Sequence, residues 1–355
     1  MIAFIHQFKA QRVLFGNGVL DRVAGELETL GAERTIVLTT PEQARSGEAV
    51  AALIGTRTVG HLAVARMHTP TDVTADALAA ARALDADSIV SIGGGSTIGL
   101  GKALSVRTGW PHLAIPTTYA GSEMTPILGE TENGQKTTRR DDAILPATVV
   151  YDVDLTRTLP QVVRVTSGMN AIAHAIEALY APDTTPVIDL MALEGMRLIL
   201  PALERRRASP DDDAALAELL RGAWLCGACL GATTMSLHHK LAHILGGSFV
   251  LPHAELHTVL IPHVLAFNAP CVPEVDQRIR VALGCYEEPG GFLFDRITAL
   301  GGPTSLRDLG MPQDGIPRAA LLATSNAYAN PRTPDVGAIE GMLHRAWAGE
   351  RPIAD

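Results

Sequence analysis

Between His238 and His257 the chain reads HHKLAHILGGSFVLPHAELH, and with His263 just beyond, this window holds six of the twelve histidines in 355 residues. Imidazoles at that density can ligate a metal, move protons, bind anions or pack, and residue type alone leaves all four open. Spacing narrows the choice. His239 and His243 are four apart, so on a helix they project from one face, and His253 follows a loop containing Gly246 and Gly247 that can turn the chain back toward them. Upstream, in SGMNAIAHAIEA, Asn170 and His174 repeat the four-residue step. Four or more nitrogen groups can therefore converge. The bland reading stands beside this one: a single histidine on an apolar helix face is more often a packed core residue. It applies to His174 taken alone and to His263, which caps or packs in IPHVLAFN.

A second stretch suits phosphate. Gly93, Gly94, Gly95, Ser96 and Thr97 follow the β-branched run SIVSI and open a helical pattern through Leu104. Glycines let a backbone approach a pyrophosphate closely, and a helix N-terminus offers unpaired N–H groups and the positive end of its dipole. The pattern is not the GxGxxG fingerprint, and a tight structural turn is its plain alternative. Thr117 and Thr118, in IPTTYAGSE, again follow a short apolar strand, LAI. Strand C-terminal ends are where open α/β sheets bind ligands. The strand Arg34–Leu38 ends in Thr39 and Thr40 instead of the carboxylate that commonly holds ribose hydroxyls, so NADH and NADPH both remain expected cofactors. Lys102, in GLGKALS, is either a solvated helix residue or a neighbour of that cofactor.

The elements that position these groups divide the chain. RTIVLTT reads as a buried strand, PEQARSGEAVAALIG and TDVTADALAAARALDA as helices, and SIVSIGGGS as a strand breaking into glycine. Strands alternating with helices imply a parallel, helix-covered sheet over residues 1–154. Residues 155–355 carry long Ala/Leu/Met-rich helical patterns and no strand-like alternation, predicting an all-helical domain. ENGQKTTRRDDA, from Glu132 to Ala143, reads as an exposed hairpin or loop. Cys226 and Cys229 form a CxxC within AWLCGACLGATT, a small-residue apolar run that predicts packing, in the core or at a dimer seam, rather than metal binding or redox work. A net charge of -9 offers no footprint for nucleic acid, and no apolar run approaches a membrane span. With no basic-then-apolar leader, a cytoplasmic location is the expectation, without nucleic-acid or membrane partners.

Four segments in order, GGGST, PTTYAGSE, SGMNAIAHAIEA and HHKLAHILGGSFVLPHAELH, resemble the iron-containing alcohol dehydrogenase superfamily, and the likeness extends from VLFGNGVLD to GGPTSLRDLGMP. The resemblance implies an N-terminal Rossmann-like nucleotide-binding α/β domain, a C-terminal all-helical catalytic domain, an active site in the cleft between them, and a homodimer. Metal-dependent members place an aspartate and three histidines on a divalent ion; the matching positions are Asn170, His174, His239 and His253. A neutral amide is a poor substitute for a carboxylate at a dication. No metal is therefore expected, although three histidines alone can hold zinc.

PTTYAGSEMTPI, the His238–His239–Lys240 run and PHAELH resemble the branch that reduces the double bond of maleylacetate to 3-oxoadipate in resorcinol and chloroaromatic breakdown, a branch described as acting without the ion. The small dicarboxylate substrate is an enone. Hydride added β to its ketone creates an enolate, and the α carbon then takes a proton. That chemistry calls for a donor at the oxyanion, a proton source and positive charge for two carboxylates. By resemblance His243 lies beside the nicotinamide, and His253 and His239 line the substrate cavity. His238, Lys240 and His257, extra cations relative to an alcohol pocket, are candidate carboxylate binders; for Lys240 the alternative is a solvated side chain. The competing readings are a metal-dependent alcohol, polyol or lactaldehyde dehydrogenase of the same superfamily, a nucleotide-binding protein without turnover, and a metal-dependent lyase on the dehydroquinate synthase fold.

Overall fold

A computed structural model describes residues 4–132 and 135–354. The chain falls into two compact units, Phe8–Leu159 and Pro160–Asp355, the latter joined by Met1–Gln7. The division lies between Leu159 and Pro160 rather than between residues 154 and 155, because the single 3-10 turn Val153–Thr156 stays with the sheet.

In the first unit the elements run β1 Arg12–Gly16, α1 Val23–Thr29, β2 Thr35–Thr39, α2 Ala44–Ile54, β3 Thr58–Ala63, α3 Thr71–Ala83, β4 Ser88–Gly93, α4 Gly95–Thr108, β5 His112–Pro116, β6 Ile127–Glu132, β7 Gln135–Arg140 and β8 Thr148–Asp152. Six of the strands form a parallel sheet in the order β1-β8-β5-β4-β2-β3. Every residue of β2, β4, β5 and β8 is buried, the condition under which strands read as unbroken apolar runs. Neighbouring side chains then serve opposite faces. Val37, Val90 and Ile92 pack with Val23, Leu27, Val50 and Ile54 of α1 and α2, whereas Ile36, Leu38 and Ile89 pack with Ala77, Ala81, Leu100 and Leu104 of α3 and α4. From β2 the chain moves outward to β3, and from β4 it moves the other way to β5, so the C-terminal ends of β2 and β4 flank the point where strand order reverses. Ligands bind at such points. The charge-rich stretch after Glu132 belongs to the antiparallel hairpin of β6 and β7, and within it Asn133 and Gly134 lie outside the described residues.

The second unit is helical: α5 Gln161–Leu179, α6 Pro186–Ala208, α7 Asp213–Ala232, α8 Leu237–Phe249, α9 His253–Asn268, α10 Pro273–Leu283, α11 Pro289–Leu300, α12 Ile316–Thr324 and α13 Val336–Ala348. His6 Nδ1 bonds Thr185 Oγ1 at 3.0 Å, tying the N-terminal segment to this unit. All of α5 from Arg164 to Leu179 is buried, the pattern of a central helix packed on every side. Helices α6 and α7 cross closely, because a Cβ on Gly195 would stand 2.5 Å from Cys226 Sγ and one on Gly222 only 3.0 Å from the Gly195 carbonyl. Cys226 and Cys229 are fully buried there, and burial raises both thiols, Cys229 to about 12. The CxxC is packing. By length and composition α7 is apolar enough to cross a membrane, yet half of it is buried inside the unit, as in a core helix.

Candidate active site

At the C-terminal edge of the sheet, three loops meet around Gly93. Its φ of 155° and the 2.5 Å and 2.6 Å that an added Cβ would leave to Thr97 Oγ1 and Gln43 Oε1 restrict this position to glycine. Gly94 then serves as N-cap of α4 with no side-chain cap, leaving the helix's positive end open. Gly95 has open space beside it, Ser96 is half-buried, and Thr97 Oγ1 is buried without a hydrogen-bond partner among the described residues. Thr118 lies beside Gly94, and Thr117 receives a 3.0 Å hydrogen bond from Gln43 Nε2. An uncapped helix start, an orphaned hydroxyl and room for backbone approach fit a dinucleotide pyrophosphate.

Two proposed cofactor contacts fare differently. Thr39 is fully buried, and its hydroxyl is hydrogen-bonded to His61 Nε2 at 2.8 Å, so it is engaged inside the unit. Lys102 is neither solvated nor at the surface. Its ammonium donates to the Ser122 carbonyl, to Thr125 Oγ1 at 2.9 Å and to the Ile127 carbonyl at 3.0 Å, tying α4 to the loop after β5. Burial lowers it to about 7, against the pull of Glu123. Lys102 is a structural tie, and Gln43, hidden in an unremarkable TPEQA, is the loop residue that sequence reading missed.

In the helical unit α5, α8 and α9 bring the histidines together. His174 Nδ1 and His239 Nε2 are 2.9 Å apart, and the His174, His239 and His257 rings lie within 5.0–6.2 Å of one another. His253 opens α9, half-buried, with its ring edge-on to His257 at 4.4 Å. His243, farther along α8, is exposed. Asn170 is 3% exposed, and its Oδ1 has no hydrogen-bond partner among the described residues. His263 stands apart as a packing residue: it is buried edge-on to Phe294, and burial pushes it down to about 3.

His238 and His257 require a correction. Both are fully buried, and His238 Nε2 meets His257 Nδ1 at 2.7 Å. One nitrogen donates and the other accepts, so the pair shares a single proton at that contact. Burial, followed by the positive charge of neighbouring histidines, holds both far below the usual imidazole range. They are neutral and are not carboxylate-binding cations. Lys240, half-buried, lies outside this pair, with Nζ 5.8 Å above the Tyr328 ring.

Stability follows from these depressed values. His238, His257 and His263 stay neutral when folded but take up protons when unfolded below about pH 6.5. Their contribution is complete above that pH and falls as pH drops from 6.5 toward the folded values, about 3 for His263. Urea unfolding of the protein at pH 7.5 and at 4.5 should therefore give a lower midpoint at the acid pH; equal midpoints would mean that these imidazoles are already charged in the fold.

Glu177, three residues beyond His174, was not singled out by sequence. It is fully buried. Its Oε2 accepts from Ser236 N–H at 2.9 Å and His239 Nδ1 at 2.7 Å, and its Oε1 accepts from His238 N–H at 2.8 Å. As a metal site the neighbourhood fits poorly. Asn170, His174, His239 and His253 include no carboxylate, Glu177 is committed to the start of α8, and the facing nitrogens of His174 and His239 are engaged with each other. Among the described residues no group of three or more His, Cys, Asp or Glu side chains is arranged to hold an ion.

Comparison with known proteins identifies relatives of the whole chain. The model of the iron-containing alcohol dehydrogenase family matches residues 10–153, and that of the family's C-terminal part matches residues 164–347. The maleylacetate reductase of Burkholderia cepacia is 51% identical over 352 residues, spanning 99% of this chain and 100% of that one. That of Pseudomonas knackmussii is 47% identical over 355 residues, 99% of each. The crystal structure of maleylacetate reductase from Agrobacterium tumefaciens superposes with a TM-score of 0.94 at 48% identity, covering 99% of this chain and 100% of that one.

Proposed function

The chain belongs to the iron-containing alcohol dehydrogenase family, and from that premise we propose that it is an NAD(P)H-dependent oxidoreductase that reduces the carbon–carbon double bond of maleylacetate to give 3-oxoadipate. The observation that carries this reading is identity near one half with maleylacetate reductases over the whole chain, through sheet and helices alike. The nicotinamide cofactor, when bound, supplies a hydride. Gly93, Gly94 and Gly95 let its pyrophosphate approach the start of α4, with Ser96, Thr97, Thr117 and Thr118 as hydroxyl partners.

The remaining work falls to the histidines. When hydride reaches the carbon β to the ketone, electrons move onto the ketone oxygen, and a hydrogen-bond donor there lowers the barrier. His253, half-buried at the start of α9, serves the oxyanion and the proton that the α carbon takes up, while His239, both ring nitrogens engaged by Glu177 and His174, shapes the cavity, and exposed His243 is the histidine left for the nicotinamide. Lys240 is the remaining candidate for a substrate carboxylate, now that His238 and His257 are neutral and buried.

The reaction proceeds without a metal ion. Supporting this are the amide of Asn170 where metal-dependent relatives carry a carboxylate, and the mutual engagement of His174 and His239. An enone reduced through an enolate needs donors more than a Lewis acid. Purified protein dialysed against a strong chelator is expected to oxidise NADH with maleylacetate as fast as untreated protein. If turnover is absent after chelation and returns only with zinc or iron, the reading moves to the metal-dependent alcohol dehydrogenases.

A further inference from the structure

The carboxylate of Glu177 sits at the start of α8, a helix with no side-chain cap of its own. Three donors on Glu177 are fixed beyond ambiguity. Backbone N–H groups only donate, and those of Ser236 and His238 reach Oε2 and Oε1 at 2.9 and 2.8 Å, with that of His239 at 3.5 Å. Both carboxylate oxygens thus accept backbone N–H groups at the positive end of a helix. A carboxylate has no proton to give, so the 2.7 Å contact with His239 is Nδ1–H donating to Oε2. The other nitrogen of a neutral His239, Nε2, is then an acceptor. It faces His174 Nδ1 at 2.9 Å, which must be the donor. The acceptor nitrogen of a neutral His174 is left as Nε2.

We propose that Glu177 is a positioning residue that fixes the tautomers of His239 and His174 together, through the chain from Glu177 carboxylate to His239 to His174. The proposal rests on the reductase reading for its consequence in turnover, but not for the tautomers themselves. With His239 Nδ1 pinned, both rings are held in one orientation, and each histidine keeps its proton on the nitrogen nearer the carboxylate. Glutamine at this position breaks the logic, because one amide oxygen cannot accept from both the Ser236 and His238 sides. An NH2 in Oε1's place faces the His238 N–H, and one in Oε2's place faces the Ser236 N–H and turns His239 Nδ1 into the acceptor, reversing both tautomers, so either orientation loosens the hold on His239.

Long-range 15N–1H correlation spectra of histidine-labelled protein read the tautomers directly. In the unaltered protein, His239 and His174 should both show a protonated-type Nδ1 and an unprotonated-type Nε2. Glu177→Gln should lower kcat by tenfold or more while leaving the Kd for NADH within twofold, with Glu177→Asp recovering part of the loss. Nε2–H tautomers in the unaltered protein would overturn the proposal even if the glutamine variant fails to fold, and so would a folded Glu177→Gln enzyme with unchanged kcat. Absence of any maleylacetate-dependent NADH oxidation by the unaltered protein would instead overturn the functional reading and leave the tautomer result standing.

Discussion

Replacing His253 with alanine is expected to lower kcat for maleylacetate reduction by about 10²- to 10⁴-fold, the range spanned by removal of a positioned proton-transfer group. Three observations single out this residue from the cluster. It is only half-buried, where His238 and His257 are sealed in the protein and bonded to each other. It opens α9 behind Pro252, with no helical turn before it to cover the ring. Its ring meets His257 edge-on at 4.4 Å, so a neutral neighbour fixes its orientation. Alanine removes the imidazole but leaves the His174–His239–Glu177 chain and the glycine turn of the sheet untouched. The Kd for NADH, measured by fluorescence titration, should therefore stay near its original value. Loss of NADH affinity in proportion to the loss of turnover would mean that His253 supports the fold or the cofactor rather than the proton transfer.

The contrast between His253 and His238 also marks what a sequence can carry. Strands β2 and β4 were legible because burial on both faces demands unbroken β-branched runs, and the glycine turn after β4 because Gly93 tolerates no Cβ. The clustering of histidines was legible too, since four-residue steps on helices must share a face. Charge state was not. His238 and His257 read as cations while their partner is unknown, yet each is the other's partner across 19 residues, and burial settles both as neutral. Lys102 reads as a solvated or ligand-facing cation, yet it serves acceptors 20 to 25 residues away. Glu177 looks like a polar residue on a helix of alanines. Its role depends on the N-terminus of α8, 59 to 62 residues downstream, and no local pattern announces a carboxylate capping a helix other than its own.

Asn170→Asp is expected to make this site depend strongly on a divalent ion. The amide is 3% exposed with an orphaned carbonyl oxygen, so aspartate would place a carboxylate where no described donor reaches it. An uncompensated buried charge costs about 3–5 kcal/mol, and the ion-free variant should unfold at correspondingly lower urea. Zinc relieves that cost while His174 and His239, four residues away and across from α8, offer imidazole nitrogen to the same ion. Ligand binding to the folded state alone stabilises by about 2.7 kcal/mol at a hundred times Kd, so titrated zinc should raise the variant's unfolding midpoint and leave the parent's nearly still. Calorimetric zinc affinity should increase by more than the roughly 10- to 100-fold that outer partners of a metal site contribute. Equal zinc affinity in the two proteins would locate the obstacle elsewhere, in the hydrogen bond that engages His174 with His239, and the amide would then be a consequence of a metal-free site rather than its cause.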